Sequence, residues 1–548
     1  MKLANDRKAR SDHWFDYLVV GAGSAGCAAA AGLARAGHSV CIIEAGGAGN
    51  QLVTRMPLAN AFQVPRLPGR NNWALSTRPQ AEMAGRCGYQ PRGKCVGGSS
   101  AINGMIYIRG RPQDYDAWEA LGCTSWGWAD VLPVFRALEK GIDDDHQIYG
   151  GEGPIHISKC QSRTEADAIF LDAAVEAGLT HLDDFNASAA AGVGPFRFTQ
   201  FSDGDRAGHR CSAAEFINAL PADNRPQVET GVVVKRLLLD QNKVVGVVGH
   251  RRNHTVFYRA RYEVVLAAGT FGSPTILQRS GFGQPEKLKS LGINVRKSMT
   301  EIGANLQDHL QCGLHYKCND DRFMGLTPRG MLELFSAARQ WKKTGKGWGS
   351  TCFTQSGGFW KTKPDLELPD VQCHFFSGVV RDHGNRLHLT RGYSAHVYIL
   401  NPASRGYIEI TSKDHTLAPQ IDPQYLSEPD DLDRLAMALK QLQNILNQPS
   451  FRALLPRPIA DVAALDPEQI RNYIREHADT AYHPVGTCRM GNDEDAIVDP
   501  QLRFRGALGL RIADASIMPK IISANTNSAS MMIGCRAAAF ALNECAHS

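Results

Sequence analysis

D-Y-L-V-V-G-A-G-S-A-G, Asp16–Gly26, reads as the opening of a nucleotide-binding α/β layer. A short apolar strand runs straight into G-x-G-x-x-G. The residues that follow predict a small-residue helix over Cys27–Ala36 and a second strand, S-V-C-I-I-E, over Ser39–Glu44. This is a βαβ unit of about 30 residues. Gly21 makes the sharp turn off the strand, Gly23 lets backbone approach a pyrophosphate, and Gly26 lets the helix pack on the strands. The free N–H groups of the helix N-terminus face the phosphate. Glu44 ends the second strand, placed to accept from ribose hydroxyls. The motif indicates a dinucleotide and does not alone separate FAD from NAD.

Bulk properties narrow the class. The 548 residues are 43% hydrophobic and 21% charged, so a sizeable core is expected. A net charge of +5 is weak over this length and gives no reason to expect nucleic acid as a partner. The 14 cysteines form no C-x-x-C pair, which reads as reduced thiols in a reducing compartment, with no disulfide framework and no metal site. The polar start M-K-L-A-N-D-R-K-A-R-S-D-H-W shows no apolar signal core, and no apolar run reaches membrane-spanning length. A cytoplasmic enzyme, monomeric or homodimeric, is the expectation.

Further segments carry Gly turns. Pro91–Gly110 holds G-K-C-V-G-G-S-S-A-I-N, whose N–H groups and hydroxyls suit an anion or ring edge. A helix over Asp114–Leu121 follows, with Trp118, Trp126 and Trp128 expected inside. Glu229–Val234 and Lys243–Val247 read as a strand pair and Val264–Ala268 as another strand. Ala268–Gly281 then repeats the strand, Gly turn, helix order, with Pro274 in that helix's first turn. Gly303–His309 is a compact polar turn. Residues 311–475 change character, with strands at Val371–Phe376, Ala395–Leu400 and Tyr407–Thr411 and helices at Met331–Lys343 and Asp430–Asn447. The fold expected is α/β: a Rossmann-like nucleotide-binding layer with an inserted α+β substrate domain on an antiparallel sheet. The expected divisions are 1–160, 206–310 and 476–548 for the nucleotide-binding parts, 161–205 for a cap segment, and 311–475 for the insert. Near the C-terminus, A-Y-H-P-V-G-T-C-R-M-G (Ala481–Gly491) puts His483 at the head of a Pro/Gly-rich turn. A-D-A-S-I-M-P-K-I-I-S-A-N-T-N (Ala513–Asn527) follows. Histidine is the usual proton acceptor for an alcohol.

Taken in order, Gly21–Gly26, Gly93–Tyr107, Ala268–Gly283 and His483–Asn527 resemble the glucose–methanol–choline (GMC) flavin oxidoreductases over nearly the whole chain. Phe282 departs from the usual aliphatic residue of the second signature. Pro369–Phe375, Val380–Leu389 and Pro402–Ile408 look like the bacterial choline-dehydrogenase-like subgroup. That subgroup includes dehydrogenases of alkanols and polyethylene glycol that pass electrons to quinones or artificial acceptors. The resemblance implies that Gly21, Gly23, Ser24, Gly26, Glu44 and Ala45 bind the ADP half of FAD, with Val234 against adenine. Trp73, Val96, Gly97, Gly98, Asn103, Gly104, Met105 and Ile106 belong to the flavin and pyrophosphate site by the same likeness. So do Ala268, Gly269, Asp514, Ala515, Asn525 and Thr526. His483 and Asn527 match the catalytic pair. Ile102 stands where some members attach FAD through histidine, so FAD is expected to be non-covalent. Cys535 replaces a common Glu and reads as a packing residue.

The implied reaction is oxidation of a primary alcohol to an aldehyde. His483 takes the hydroxyl proton, Asn527 holds the oxygen, and hydride passes to flavin N5. Activity is expected to rise with pH through a group titrating near neutrality. The electron acceptor is expected to be a quinone or dye; an O2-using oxidase and a hydroxynitrile-type lyase are the alternatives. Gln372 and His374 alternate on one strand and read first as structural polar groups. Trp341 with Lys342 and Lys343 raises peripheral contact with the inner membrane, although composition favours an ordinary half-buried helix.

Overall fold

The computed structural model describes residues 13–65, 71–141, 148–160, 162, 164–384 and 390–545. The polar start up to residue 12, and the end of the Val380–Leu389 likeness, lie outside the described residues. The chain opens with β1 (His13–Val20), α1 (Ser24–Arg35) and β2 (Val40–Ile43). Tyr17–Val20 and all of β2 are buried, as strands covered on both faces must be. β3 (Gly192–Pro195) comes much later, followed by β4 (Gln227–Glu229), β5 (Val233–Asp240), β6 (Lys243–Arg251), β7 (His254–Leu266) and α2 (Gly269–Arg279).

Beyond these come β8 (Leu310–Lys317), α3 (Pro328–Thr344), β9 (Ser356–Trp360), β10 (Val371–Phe376) and β11 (Gly392–Ile399). Next are α4 (Pro429–Leu446) and the short strands β12 (Arg457–Pro458), β13 (Asp479–Thr480) and β14 (Leu510–Ile512). The helix α5 (Asn527–Cys545) closes the series.

Two sheets organise the molecule. The first has the order β5-β6-β7-β1-β2-β4, with β14 beside β7. Its β7-β1-β2-β4 stretch is parallel and β5-β6-β7 is an antiparallel meander. The second sheet is antiparallel throughout, in the order β12-β8-β11-β10-β9-β3, with β13 beside β8. It recruits β3 and β13 from outside residues 311–475. The expected strand at Tyr407–Thr411 is Tyr407–Glu409, and it pairs separately with Gln420–Asp422.

Two local expectations are corrected. Glu229–Val234 is not one strand: β4 ends at Glu229 in the parallel layer, and β5, starting at Val233, pairs with β6. A turn separates them, with Gly231 at φ +71°. Pro274 lies in the interior of α2, because the helix begins at Gly269. Proline there cannot donate to the carbonyl four residues back. That carbonyl, on Thr270, instead accepts from the Thr487 hydroxyl at 2.6 Å, which ties α2 to the His483 turn.

The second sheet alternates strictly. Cys312, Leu314, Val397, Cys373 and Phe375 face a core shared with α4, where Leu435, Leu439 and Leu442 are fully buried. Each such leucine contributes roughly 1.5–3 kcal/mol through burial. The opposite face carries Gln311 and His315 on β8, His396 and Tyr398 on β11, and Gln372 and His374 on β10. A polar sheet face ordinarily meets water. This one closes over an internal cavity.

Candidate active site

A cavity of about 1450 Å³ lies between the nucleotide-binding layer and the polar face of the second sheet. Glu44, Ala45 and Val234 line it, as do Gly21, Gly23 and Ser24 at the turn into α1. Gly98, Asn103, Gly104, Met105 and Ile106 line another part of the wall, with Ala268, Gly269, Asp514 and Ala515 opposite. Asn525, Thr526, Asn527 and His483 complete the expected set. Trp73 lines the wall too, 39% exposed, with Lys94 Nζ 4.3 Å above its ring. Gly26, Val96 and Gly97 are absent from the lining and frame it instead. A Cβ on Gly26 would sit 1.9 Å from the Gly21 carbonyl oxygen, so only glycine lets α1 start there. Gly97 N–H donates to the Ala22 carbonyl and Val96 N–H to that of Gly47.

The wall fits a dinucleotide. α1 has no side-chain cap at its N-terminus and no acidic residue in its first turn, so its N–H groups remain for an anion. A Cβ on Gly98 (φ +53°) would approach Gly23 Cα to 2.6 Å, so the two glycine segments meet as one backbone cradle. Glu44 is buried, and its carboxylate already accepts from Ala22 N–H (2.9 Å) and Gly46 N–H (2.8 Å), which fixes it at the strand end. Asp514 is similarly engaged by Gly269 N–H, the Ser273 hydroxyl and Ser516 N–H. Burial raises the pKa of both carboxyls, Glu44 and Asp514.

The His483 turn is held under strain. Tyr482 before it has φ +73°, a costly conformation that persists only where neighbours impose it. Tyr482 N–H donates to Thr480 Oγ1 at 2.7 Å, and His483 N–H donates to Asp308 Oδ1 at 2.9 Å. Asp308 Oδ2 accepts from the hydroxyls of Thr480 and Tyr425.

Its protonation state follows from one chain of partners. His309 Nε2 lies 2.8 Å from the Leu400 carbonyl, which only accepts, so Nε2 carries the proton. Burial pushes the His309 pKa down to about 4, so the ring is neutral and its Nδ1 is an acceptor. That Nδ1 is 3.0 Å from His483 Nδ1, which therefore donates. The lone pair of His483 is left on Nε2. Asn525 Nδ2 donates to it at 3.1 Å, while Asn525 Oδ1 accepts from Gln372 Nε2 at 3.1 Å.

The asparagine beside His483 is Asn525, two residues before the one expected. Asn527 already belongs to α5, and its Oδ1 accepts from the Ser24 hydroxyl at 2.6 Å, at the first turn of α1. Asn525 lies in the non-helical lead-in. Gln372 and His374 are more than passive polar groups of the fold: Gln372 orients Asn525, and His374 lines the cavity. Asp308, His309 and Tyr398 had no assigned part. For Asp308 and His309 the signal was the D-H pair of Gly303–His309, but no sequence spacing relates that turn to His483, 174 residues away; Tyr398, stacked on the His309 ring at 5.0 Å, offered none. Cys535 packs at the edge of the first core.

The surroundings of His483 argue against a titration near neutrality. Burial holds His483 well below its ordinary 6.5, and His309, His374 and Arg92 lower it further. This shift favours a neutral His483 ring at neutral pH. Anaerobic substrate-driven bleaching should therefore stay level with pH there and fall only under acid conditions. A one-proton rise centred between about pH 6 and 8 would assign the base elsewhere.

The cradle suited to a dinucleotide and the buried His483 turn meet at one cavity under the antiparallel sheet. Residues 15–311 and 402–534 match two GMC oxidoreductase family models, and the chain belongs to that family. It is 36% identical over 538 residues to "Alcohol dehydrogenase (acceptor)" of Pseudomonas putida, covering 96% of this chain and 95% of that one. It is 37% identical over 536 residues to "Oxygen-dependent choline dehydrogenase" of Ectopseudomonas mendocina, covering 95% and 93%. Among solved structures, pyridoxine 4-oxidase from "Mesorbium loti" is similar, with TM-score 0.85, 28% identity and coverage of 97% and 99%. The cofactor is FAD. Ile102 lines the cavity with an aliphatic side chain that offers no nucleophile for attachment. Acid precipitation is thus expected to release all the yellow chromophore into the supernatant; colour kept in the pellet would show a covalent link.

Proposed function

We propose that the protein oxidises an uncharged primary alcohol to its aldehyde and passes the electrons to a quinone or similar acceptor. FAD supplies the two-electron acceptor when bound. The observation that carries this reading is the His309–His483 pair, which leaves an unprotonated Nε2 facing the cavity beside the Asn525 amide. His483 Nε2 takes the hydroxyl proton. Asn525 Nδ2, displaced from that nitrogen by substrate, donates to the substrate oxygen and orients the carbinol hydrogen.

Uncharged substrates are favoured by the roof. On the cavity side of the second sheet stand Gln311, His315, His374 and His396, none of them anionic. Burial holds the pKa of His374 at about 3 and that of His396 at about 4, so both are neutral. The nearby carboxylate Asp479 is already paired with His383 Nε2 at 2.8 Å. Asp382 and Glu476 also line the cavity but lie off the strands of this sheet, whose cavity side is dominated by uncharged groups.

The test is anaerobic addition of alkanols, glycols, aromatic alcohols and choline to the loaded enzyme. Primary alcohols should bleach the flavin band and choline should do so poorly. An unchanged band with every alcohol would leave a lyase. Peroxide formed as fast in air as a quinone is reduced would make the enzyme an oxidase.

A further inference from the structure

We propose that the outer face of α3 is a docking surface for an anionic phospholipid bilayer. α3 is amphipathic in an unusual sense. Gly330, Ala337 and Trp341 face inward and are buried. Outward, Met331, Leu332 and Phe335 are 55%, 72% and 65% exposed. At 3.6 residues per turn these three fall within an arc of about 100°, on the side where a solvated helix carries polar groups.

Charge selects the occupant. The helix P-R-G-M-L-E-L-F-S-A-A-R-Q-W-K-K-T carries Arg329, Arg339, Lys342 and Lys343, and Lys346 follows. All five are exposed, but Arg329 is paired with Asp321 at 2.9 Å, so Arg339, Lys342, Lys343 and Lys346 supply the charge of the face. Its one acid, Glu333, is half-buried and is taken up by Arg391 Nη2 at 2.9 Å. Arg339 lies over the Phe335 ring at 6.0 Å, so cation and apolar group share one surface. Apolar side chains that enter the acyl boundary, flanked by long cations that reach phosphates, are the physical requirements of an interfacial helix. A second copy of the same face would oppose like charges. No helix among the described residues is long and apolar enough to cross a membrane, so contact here is lateral.

Position gives the surface a use. Leu334, on the same turn, lines the cavity, as do Met324, Leu326 and Phe353. Ala337 and Trp341 pack with Met56, Leu58 and Ala59 in an apolar cluster, of which Leu58 also reaches the cavity wall. Leu58 and Leu334 belong both to the apolar cluster under α3 and to the cavity wall. A lipid-dissolved acceptor or alcohol would thus reach the cavity without crossing bulk water.

The experiment is co-sedimentation of the FAD-loaded protein with vesicles at low salt. One set is phosphatidylcholine alone, the other phosphatidylcholine and phosphatidylglycerol in equal parts. The wild type should pellet with the anionic vesicles and be released by added salt. The double variant Leu332→Asp, Phe335→Asp should bind at least about tenfold more weakly. Lys342→Glu with Lys343→Glu should lose the preference for phosphatidylglycerol by about tenfold or more, near the worth of two surface cations. Oxidation of a soluble alcohol with a soluble dye should be unchanged in both, which separates lost docking from misfolding and from any error in the assigned reaction. Wild-type protein that stays in the supernatant, or variants that pellet equally, would overturn the proposal. So would a dimer, measured by light scattering, that dissociates in the aspartate variant.

Discussion

His483→Ala lowers the rate of anaerobic flavin reduction by about 10²–10⁴-fold, the usual share of a general base. FAD content should be retained, because the cradle rests on α1 and the Gly97–Gly98 loop, while the His483 turn is held independently through Asp308. A near-normal rate in this variant would remove His483 as the base. The two asparagines give a matched contrast. Asn525→Ala removes the one amide that donates to His483 Nε2 and should cost about 10²-fold, the scale for losing one donor at a developing oxyanion. Asn527→Ala removes the acceptor of the Ser24 hydroxyl at the α1 turn. Its main effect should be weaker FAD retention, with the reduction rate of the loaded fraction within a few-fold of wild type. The reverse outcome would restore Asn527 as the partner of His483.

That contrast marks the boundary of what the sequence could show. The Gly21–Gly26 turn and the Gly97–Gly98 loop were legible because positive φ and close backbone approach leave few residue choices. The alternation in Val371–Phe376 was legible too, and its strand bounds hold to the residue. Its polar half read as ordinary structural polarity, since nothing local says that a sheet face meets a cavity. A-N-T-N offered two asparagines, and the selection between them depends on where α5 begins, a matter of its docking against α1. His309 lay in a turn noticed only for its polarity. Its role depends on a carbonyl at Leu400 and a ring at His483, both remote in sequence. The direction of the His483 pKa shift was equally out of reach, because burial by a roof from another part of the chain determines it.

His309→Leu should then slow flavin reduction by about 10²-fold with little change in the alcohol KM. The leucine fills much of the space but offers no acceptor. His483 Nδ1–H would be buried without a partner, a cost of about 1–3 kcal/mol. The ring can avoid that cost by moving its proton to Nε2 and donating to Asn525 Oδ1 after an amide flip. In that tautomer Nε2 cannot accept the substrate proton, and a base held in the wrong tautomer can lose about 10⁴-fold where the locking is complete. Here nothing locks it, so a fraction of active tautomer persists and the smaller loss follows. His309→Gln supplies a carbonyl oxygen for His483 Nδ1–H and an N–H for the Leu400 carbonyl, and it should recover most of the rate. A purely structural role for His309 predicts otherwise: Leu and Gln would then lower FAD content and thermal stability in parallel with the rate. If both variants hold FAD normally and are equally slow, the tautomer of His483 is fixed by something other than His309.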